Sequence, residues 1–426
     1  MIELIVFIQL AAFIYWLIRQ QYSYWIRRNF PCDTEIHIPY GTLKAAVRGE
    51  KSMGVVLYDA YLRSPNLPFV GIYFLYHPGI MIRDPELARR ILKQDFNSFH
   101  DRGIYVNEKR DPLSGNVFSL RGQKWRSLRQ KLTPSFSSGK LKAMFCTSDD
   151  IGNKMIDYMN KVLPEKDYAE IDLKNICVTY AIDITGSVIF GLDINSFENP
   201  ENKFRSLMHI SRHSNLIGVL IFFCPFFLNI MTRFGFKNKK AIRLREIMKN
   251  TIEYREKNNV IRKDMLQLMM QLKNTGKINV NDDNFSAKPN TANGEHKEFT
   301  LDGIAAQGYL FYIAGQETTS STAAFTIFEL AQNAELLARG QKEIDEVLQR
   351  HGGELTFDAL SEMTFLESCL QESNRKYPVP FLNRECTQTY IIPGTNHIIE
   401  KDTPIVISLL GLNRNPQYFT PSSPNK

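Results

Sequence analysis

The 426-residue sequence has no Cys-x-x-Cys pair, no internal repeat and no stripe of basic residues interleaved with aromatics. Its six cysteines, Cys32, Cys146, Cys177, Cys224, Cys369 and Cys386, are too scattered for a structural zinc site or a disulfide framework, and read as reduced, cytosolic-side thiols. Lys and Arg number 52 against 45 Asp and Glu, a net charge of +7 spread along the chain, so nothing points to nucleic acid. The excess fits an acidic protein partner or an anionic membrane, or an ordinary solvated surface. A 43% hydrophobic and 12% aromatic composition excludes a disordered or fibrous chain and supports a large core, in one large domain or two fused ones.

What is present begins with an apolar run, IELIVFIQLAAFIYWLI, over residues 2–18, in which Glu3 is the only charge. As a helix it is about 26 Å long, enough to cross a bilayer. Arg19, Arg27 and Arg28 follow and no positive charge precedes, which leaves the body of the protein in the cytosol. A cleaved secretory signal needs a basic start and a small-residue cleavage site, and neither is present. We therefore expect an uncleaved anchor helix over residues 1–18, a juxtamembrane linker over 19–40 and the remaining domain over 41–426. Trp16, Tyr22, Tyr24 and Trp25 suit the headgroup belt.

Beyond the anchor, FVGIYFLYHPGIMIRDP reads as a small sheet, with Gly71, Pro78 and Gly79 marking its turns. From Pro85, with Asp84 as cap, the pattern is helical as far as about Lys376. Residues 273–298 break it with a polar, Asn-rich stretch that reads as a surface loop without chemistry. The chain turns β-like again after Pro378. The fold class is mainly α with a minor β part.

Three motifs carry chemistry. GYLFYIAGQETTSSTAAFTIFEL, residues 308–330, is a helix opened by Thr300 as N-cap, with Phe311, Ala314, Thr318, Ser321 and Phe325 on one face. Gly315 costs about 1 kcal/mol against alanine in such a helix. The irregularities read either as hydroxyls bonded a turn back beside small residues that let another helix approach, or as an acid and a hydroxyl, Glu317 and Thr318, set in a notch for proton delivery. In LQESNRKYP, Glu372 and Arg375 stand three apart and can pair on one helix face. In GQKWRSLRQKL, Trp125 and Arg129 are four apart, an indole donor and a guanidinium that can hold a carboxylate or form a surface cation–π contact.

The order W-x-x-x-R, A-G-x-E-T-T, E-x-x-R resembles the cytochrome P450 superfamily of haem-thiolate monooxygenases. The connecting text DMLQLMMQLKN, KLTPSFSSGKLK and KYPVPFLNREC is similar to its insect microsomal branch, the sixth family. The resemblance implies that Arg102, Trp125 and Arg129 bind haem propionates, that Ala314 and Gly315 form the oxygen groove, and that Glu317 and Thr318 relay protons. It makes Glu372 and Arg375 a structural pair. It places hydrophobic small-molecule substrates, hormones or xenobiotics such as insecticides, against residues 109–120, 216–227, Phe311, Val379, Pro380 and Phe381. It implies haem as cofactor, NADPH-cytochrome P450 reductase as redox partner, and the endoplasmic reticulum membrane as location, with the catalytic part on the cytosolic side.

The family's glycine-rich loop with its iron-ligating cysteine has no match in these residues, nor does its P-E-R-F segment. The cysteine after Arg375, Cys386, lies in NREC without the loop's glycines and arginine. We therefore expect a P450 fold lacking its C-terminal portion, no thiolate ligand to a metal, and a Glu372–Arg375 pair short of a partner. The alternatives are an inactive fragment or pseudogene product, and a membrane-anchored lipophile-binding protein without catalysis.

Overall fold

The computed structural model describes residues 9, 13, 15–163, 170–202, 205, 215–236, 238–281, 285–287 and 299–419. The expected anchor over 1–18 lies almost wholly outside them; residues 15–22 are helical. Tyr22 and Trp25 do not sit in a headgroup belt: Trp25 is 1% exposed and its indole donates to the Ile72 carbonyl at 3.1 Å. The Tyr22 hydroxyl donates within reach of Pro39 O and Leu75 O, each at 2.8 Å. The chain admits the indole because Gly71 has no side chain: a Cβ there would lie 2.7 Å from the Trp25 ring. Large rings with one polar atom are buried where that atom finds a partner, and the first strand provides it.

The sheet has the order β1 (Phe69–Phe74), β2 (His77–Ile82), β6 (Pro404–Ile407), β3 (Leu382–Glu385). β1 and β2 form an antiparallel hairpin, β6 runs parallel to β2, and β3 is antiparallel to β6. The short pair β4 (Tyr390–Ile391) and β5 (Ile398–Ile399) lies apart. Every residue of β1 and β6 is buried, which suits strands covered on both faces. Segments 300 residues apart thus meet in one sheet, which is what carries β3 to the site.

The longer helices are α1 (Met53–Arg63), α2 (Gly122–Leu132), α3 (Ser138–Val162), α4 (Leu173–Phe190), α5 (Asn215–Phe223) and α6 (Pro225–Arg233), followed by α7 (Lys239–Asn258), α8 (Met265–Thr275), α9 (Leu301–Ala331), α10 (Ala334–Arg350) and α11 (Thr364–Lys376). α9, 31 residues long, starts where the Thr300 hydroxyl accepts from Gly303 N at 3.2 Å. α4 is long and apolar enough to cross a membrane, yet most of it is buried against α9 as a core helix. Gly308 makes the approach of α7 possible, since a Cβ there would meet the Met248 side chain at 2.1 Å.

Two large apolar clusters result, one around the sheet with the N-terminal residues and α5, the other among α2, α4, α7, α8 and α9, with a small third around Val347, Ala359 and Met363. The polar stretch 273–298 departs from a plain surface loop. Its first residues end α8, and Phe285, fully buried, takes the Lys140 ammonium over its ring at 4.3 Å. An isolated apolar residue in a polar run hides this packing from periodicity.

Arg255 on α7 and Asp264, the α8 cap, form a bidentate pair at 2.9 and 2.5 Å with both side chains almost wholly inaccessible. Removing one partner strands a buried charge. Asp264→Ala is expected to cost about 3–5 kcal/mol in urea unfolding, and a loss below about 1 kcal/mol contradicts the assignment.

Candidate functional site

A loop, a helix and a strand gather arginines at one place. Residues 101–103 are fixed by Asp101, whose carboxylate accepts from Gly122 N at 2.8 Å and so opens α2. Gly103 has φ +69, and a Cβ there would lie 2.5 Å from Glu385 Oε2, so only glycine lets the loop lie against β3. Arg102 between them has its carbonyl on Asn383 Nδ2 at 2.7 Å and its guanidinium 4.2 Å above the Phe118 ring. On α2, Trp125 and Arg129 do lie together, the guanidinium 5.8 Å from the indole centroid. β3 adds Arg384, whose Nε is buried without a hydrogen-bond partner while Nη1 donates to Asn383 O at 2.8 Å.

Among the described residues no carboxylate pairs with Arg102, Arg129 or Arg384. Burial, then the neighbouring Arg384 and Arg129 charges, push the Arg102 guanidinium down to about 10, and burial with Arg129 lowers Arg384. Two half-buried cations, each disfavoured by burial and by the exposed Arg129 beside them, form a cradle that suits an anion. The acids nearby are otherwise engaged. Glu385 pairs with Arg121 at 2.8 Å, and burial raises its carboxyl to about 7 against the opposing pull of Arg121. Asp101 serves Gly122 N and lies 3.4 Å from His100.

Arg384 and Arg121 were not singled out from the sequence. A signal existed for Arg384: an arginine between Asn383 and Glu385 in a β-prone segment is a charge placed next to buried positions. Arg121 precedes α2 and has no local pattern.

On α9, Ala314 and Thr318 are exposed on the same side, with the Thr318 hydroxyl bonded back to Ala314 O at 2.6 Å. Gly315 points elsewhere: a Cβ would meet Thr185 Cγ2 of α4 at 3.1 Å, so its missing side chain serves helix packing. Glu317 accepts from Ser321 Oγ at 3.4 Å and pairs with Lys174 at 3.3 Å, and it makes no hydrogen bond to Thr318. On α11, Glu372 and Arg375 form a bidentate pair at 2.7 and 2.6 Å that holds the glutamate below the usual carboxylate range. Arg375 is not left short, since Nη1 donates to Asn413 O at 2.7 Å and Phe419 covers its guanidinium at 4.7 Å.

A cavity of about 780 Å³ lies between residues 105–113, α5–α7 and the first half of α9. Lys109, Leu113, Ile217, Ile221 and Ile313 are on its wall. Phe311, Val379, Pro380 and Phe381 are not: Phe311 stacks edge-on with Phe136 at 5.6 Å, and Phe381 packs on Phe222 and Phe223. Pro380 fills the space left by Gly54, and Val379 is solvent-exposed.

These residues fit one end of a haem. The three unpaired guanidiniums and the Trp125 indole N–H suit two propionates, and Ala314 with Thr318 leaves an open groove. Cys386, next to β3, is fully buried, its Sγ donates to Gln388 O at 2.9 Å, and burial raises the thiol to about 11. Cys224 is likewise buried and pushed up to about 12, and among the described residues no His, Cys, Asp and Glu group could hold a metal.

The sequence model of one family, described as Cytochrome P450, matches residues 44–426. "Probable cytochrome P450 6d4" of Drosophila melanogaster is 52% identical over 417 residues, covering 97% of this chain and 81% of that protein. "Cytochrome P450 6d3" of Musca domestica is 49% identical over 428 residues, covering 98% of this chain and 82% of that protein. "Cytochrome P450 6k1" of Blattella germanica is 34% identical over 416 residues, covering 96% and 78%.

Two outcomes follow from the electrostatics. Glu385 binds its proton more tightly folded, with a value of about 7, than unfolded, so its contribution is full below the unfolded value and fades as pH rises through about 7. Urea midpoints are expected to fall between pH 5 and 8, and Glu385→Gln to flatten that fall by up to about 3 kcal/mol. Arg102→Met, which relieves like-charge repulsion, is expected to stabilise the haem-free chain by on the order of 1 kcal/mol in urea unfolding. A loss of similar size contradicts the cradle.

Proposed function

We propose, on the premise that the chain belongs to the cytochrome P450 family, that it is the haem-binding, substrate-binding body of an insect sixth-family monooxygenase for hydrophobic small molecules. The observation that carries this is the trio of uncompensated guanidiniums, Arg102, Arg129 and Arg384, beside the Trp125 indole. Two of them, Arg102 and Arg384, are lowered by burial with the exposed Arg129 beside them, an arrangement that an anion would relieve. Arg102, Trp125, Arg129 and Arg384 hold the propionates.

Bound haem supplies dioxygen activation and insertion of one oxygen atom into substrate, with electrons from NADPH through the membrane-bound reductase. Ala314, small and exposed on α9, would leave room for the group. Thr318 offers a hydroxyl one rotamer away from its bond to Ala314 O, and Glu317 supplies an acid held near α9 by Lys174. Glu372, Arg375 and the Asn413 carbonyl tie α11 to the end of the sheet region. Residues 1–18 anchor the protein in the endoplasmic reticulum membrane, its body facing the cytosol and the acidic surface of the reductase.

Residues 1–426 contribute the cradle and the groove, and on this reading no thiolate, since Cys386 and Cys224 are buried and high in pKa and Cys32, bridged to Gly71 of β1, is raised by burial too. On their own they hold haem through its propionates, without the electronic signature of thiolate ligation. The cavity, whose wall includes none of the cradle residues, favours a second reading for these residues alone: a lipophile carrier. The test is to express the chain with haem supply, reduce it and add carbon monoxide. The expected spectrum lacks the thiolate-characteristic Soret position, and a band at that position refutes the assignment. Arg129→Ala with Arg384→Ala is expected to weaken haem retention at least about tenfold, and unchanged retention contradicts the cradle role.

A further inference from the structure

Lys174 is the second residue of α4, just after the Asp172 cap, whose carboxylate accepts from Asn175 N at 2.9 Å. A cation in the first turn of a helix works against the dipole, so α4 on its own gains nothing from a lysine there. Its use lies across the interface with α9. The ammonium donates to Ser321 Oγ at 2.6 Å and to Ser320 Oγ at 3.0 Å, and it stands 3.3 Å from Glu317 Oε1. Residues 317, 320 and 321 are spaced i, i+3 and i+4 on α9 and so form one patch of its surface. An ammonium offers three protons and accepts nothing, and a patch of two hydroxyls and a carboxylate occupies it fully.

An exposed ion pair taken alone contributes little, and the two serines are what fix this one. Ser320 is 1% exposed and its own proton goes to the Glu317 carbonyl at 3.3 Å, which leaves its oxygen to accept from the ammonium. Ser321 donates to Glu317 Oε1 at 3.4 Å, so lysine and serine approach the same carboxylate oxygen. Thr318 follows Glu317 in the chain, yet its hydroxyl is turned back to Ala314 O at 2.6 Å. Both residues are exposed, and among the described residues no hydrogen bond joins them. The acid is committed to α4 and the hydroxyl to its own helix, although one peptide bond separates them.

We propose that Lys174 is a positioning residue: with Ser320 and Ser321 it clamps the Glu317 carboxylate on the α4 side of α9, away from the Thr318 hydroxyl, and release of the clamp brings the acid to bear on that hydroxyl. This rests on the monooxygenase reading only for the use made of the acid, because the clamp needs neither haem nor reductase. Lys174 keeps its own proton throughout; water supplies the proton that Glu317 hands on to Thr318.

The experiment uses the haem-free full chain with Thr318→Cys as reporter, alkylated by iodoacetamide at neutral pH and followed by mass spectrometry of the peptide carrying residue 318, which separates it from the six native cysteines. A carboxylate close to a thiol disfavours the thiolate that reacts, so the rate reports how near Glu317 stands. With Lys174 in place, adding Glu317→Gln is expected to change the rate less than about twofold; in the Lys174→Met background the same change should raise it at least about threefold. Lys174→Arg keeps the cation and should restore the insensitivity. An equal effect of Glu317→Gln with and without Lys174, in variants with the parent's thermal melting, overturns the proposal, as does a Lys174→Arg chain that behaves like Lys174→Met. A second measurement needs no variant: carbodiimide should join Lys174 to Glu317 as an amide in the unaltered chain, and absence of that crosslink also overturns it. If the clamp behaves as expected while Arg129→Ala with Arg384→Ala leaves haem retention unchanged, the haem reading fails and the clamp stands.

Discussion

The mutual repulsion of Arg102, Arg129 and Arg384 is the constraint on which the site depends. Each guanidinium is brought in by a different element: a loop pinned by Asp101 and Gly103, helix α2, and strand β3. Their convergence costs desolvation and like-charge energy that nothing in the described residues offsets. The fold tolerates this because backbone bonds, Glu385 N to Asp101 O at 2.9 Å and Asn383 Nδ2 to Arg102 O at 2.7 Å, lock the loop to the strand independently of the charges. On the proposed reading, an anion with two carboxylates would convert the cost into binding. The nearest acids are placed so as not to pre-empt it, with Glu385 turned to Arg121 and Asp101 spent on the start of α2.

The central helix divides its irregular residues between two duties. Gly308 and Gly315 face α7 and α4, while Ala314 and Thr318 are exposed on an adjacent face. Packing and chemistry were alternatives when the helix was read alone; Gly315 serves packing, and the chemistry of Glu317 and Thr318 belongs to the proposed function. Glu317 illustrates the same economy, for its carboxylate is steadied by Lys174 and Ser321 within reach of the threonine face.

Much of the architecture was legible because it rests on short-range physics. The Asp84 and Thr300 caps and the i,i+3 pair Glu372–Arg375 are where local rules put them, whereas the hairpin turns at Leu75 and Tyr76, with Gly71, Pro78 and Gly79 inside its paired strands. What stayed hidden depends on long-range contact. Tyr22 and Trp25 looked like interfacial aromatics, yet each finds its hydrogen-bond partner 17 to 53 residues away in the chain. Phe285 is one apolar residue in a polar stretch, and its burial needs Lys140 of a distant helix. Arg384 acquires meaning only once β3 is laid beside residues 101–103.

The central claim is that the arginine cradle recognises the two carboxylates of haem, and titrating the haem-free chain with haem and with haem dimethyl ester tests it most directly. The ester keeps the macrocycle, the iron and the apolar surface and removes the two charges. The account predicts at least about tenfold weaker binding of the ester, with the gap closing in Arg102→Met combined with Arg384→Met. Equal affinity for the two forms in the unaltered chain contradicts it.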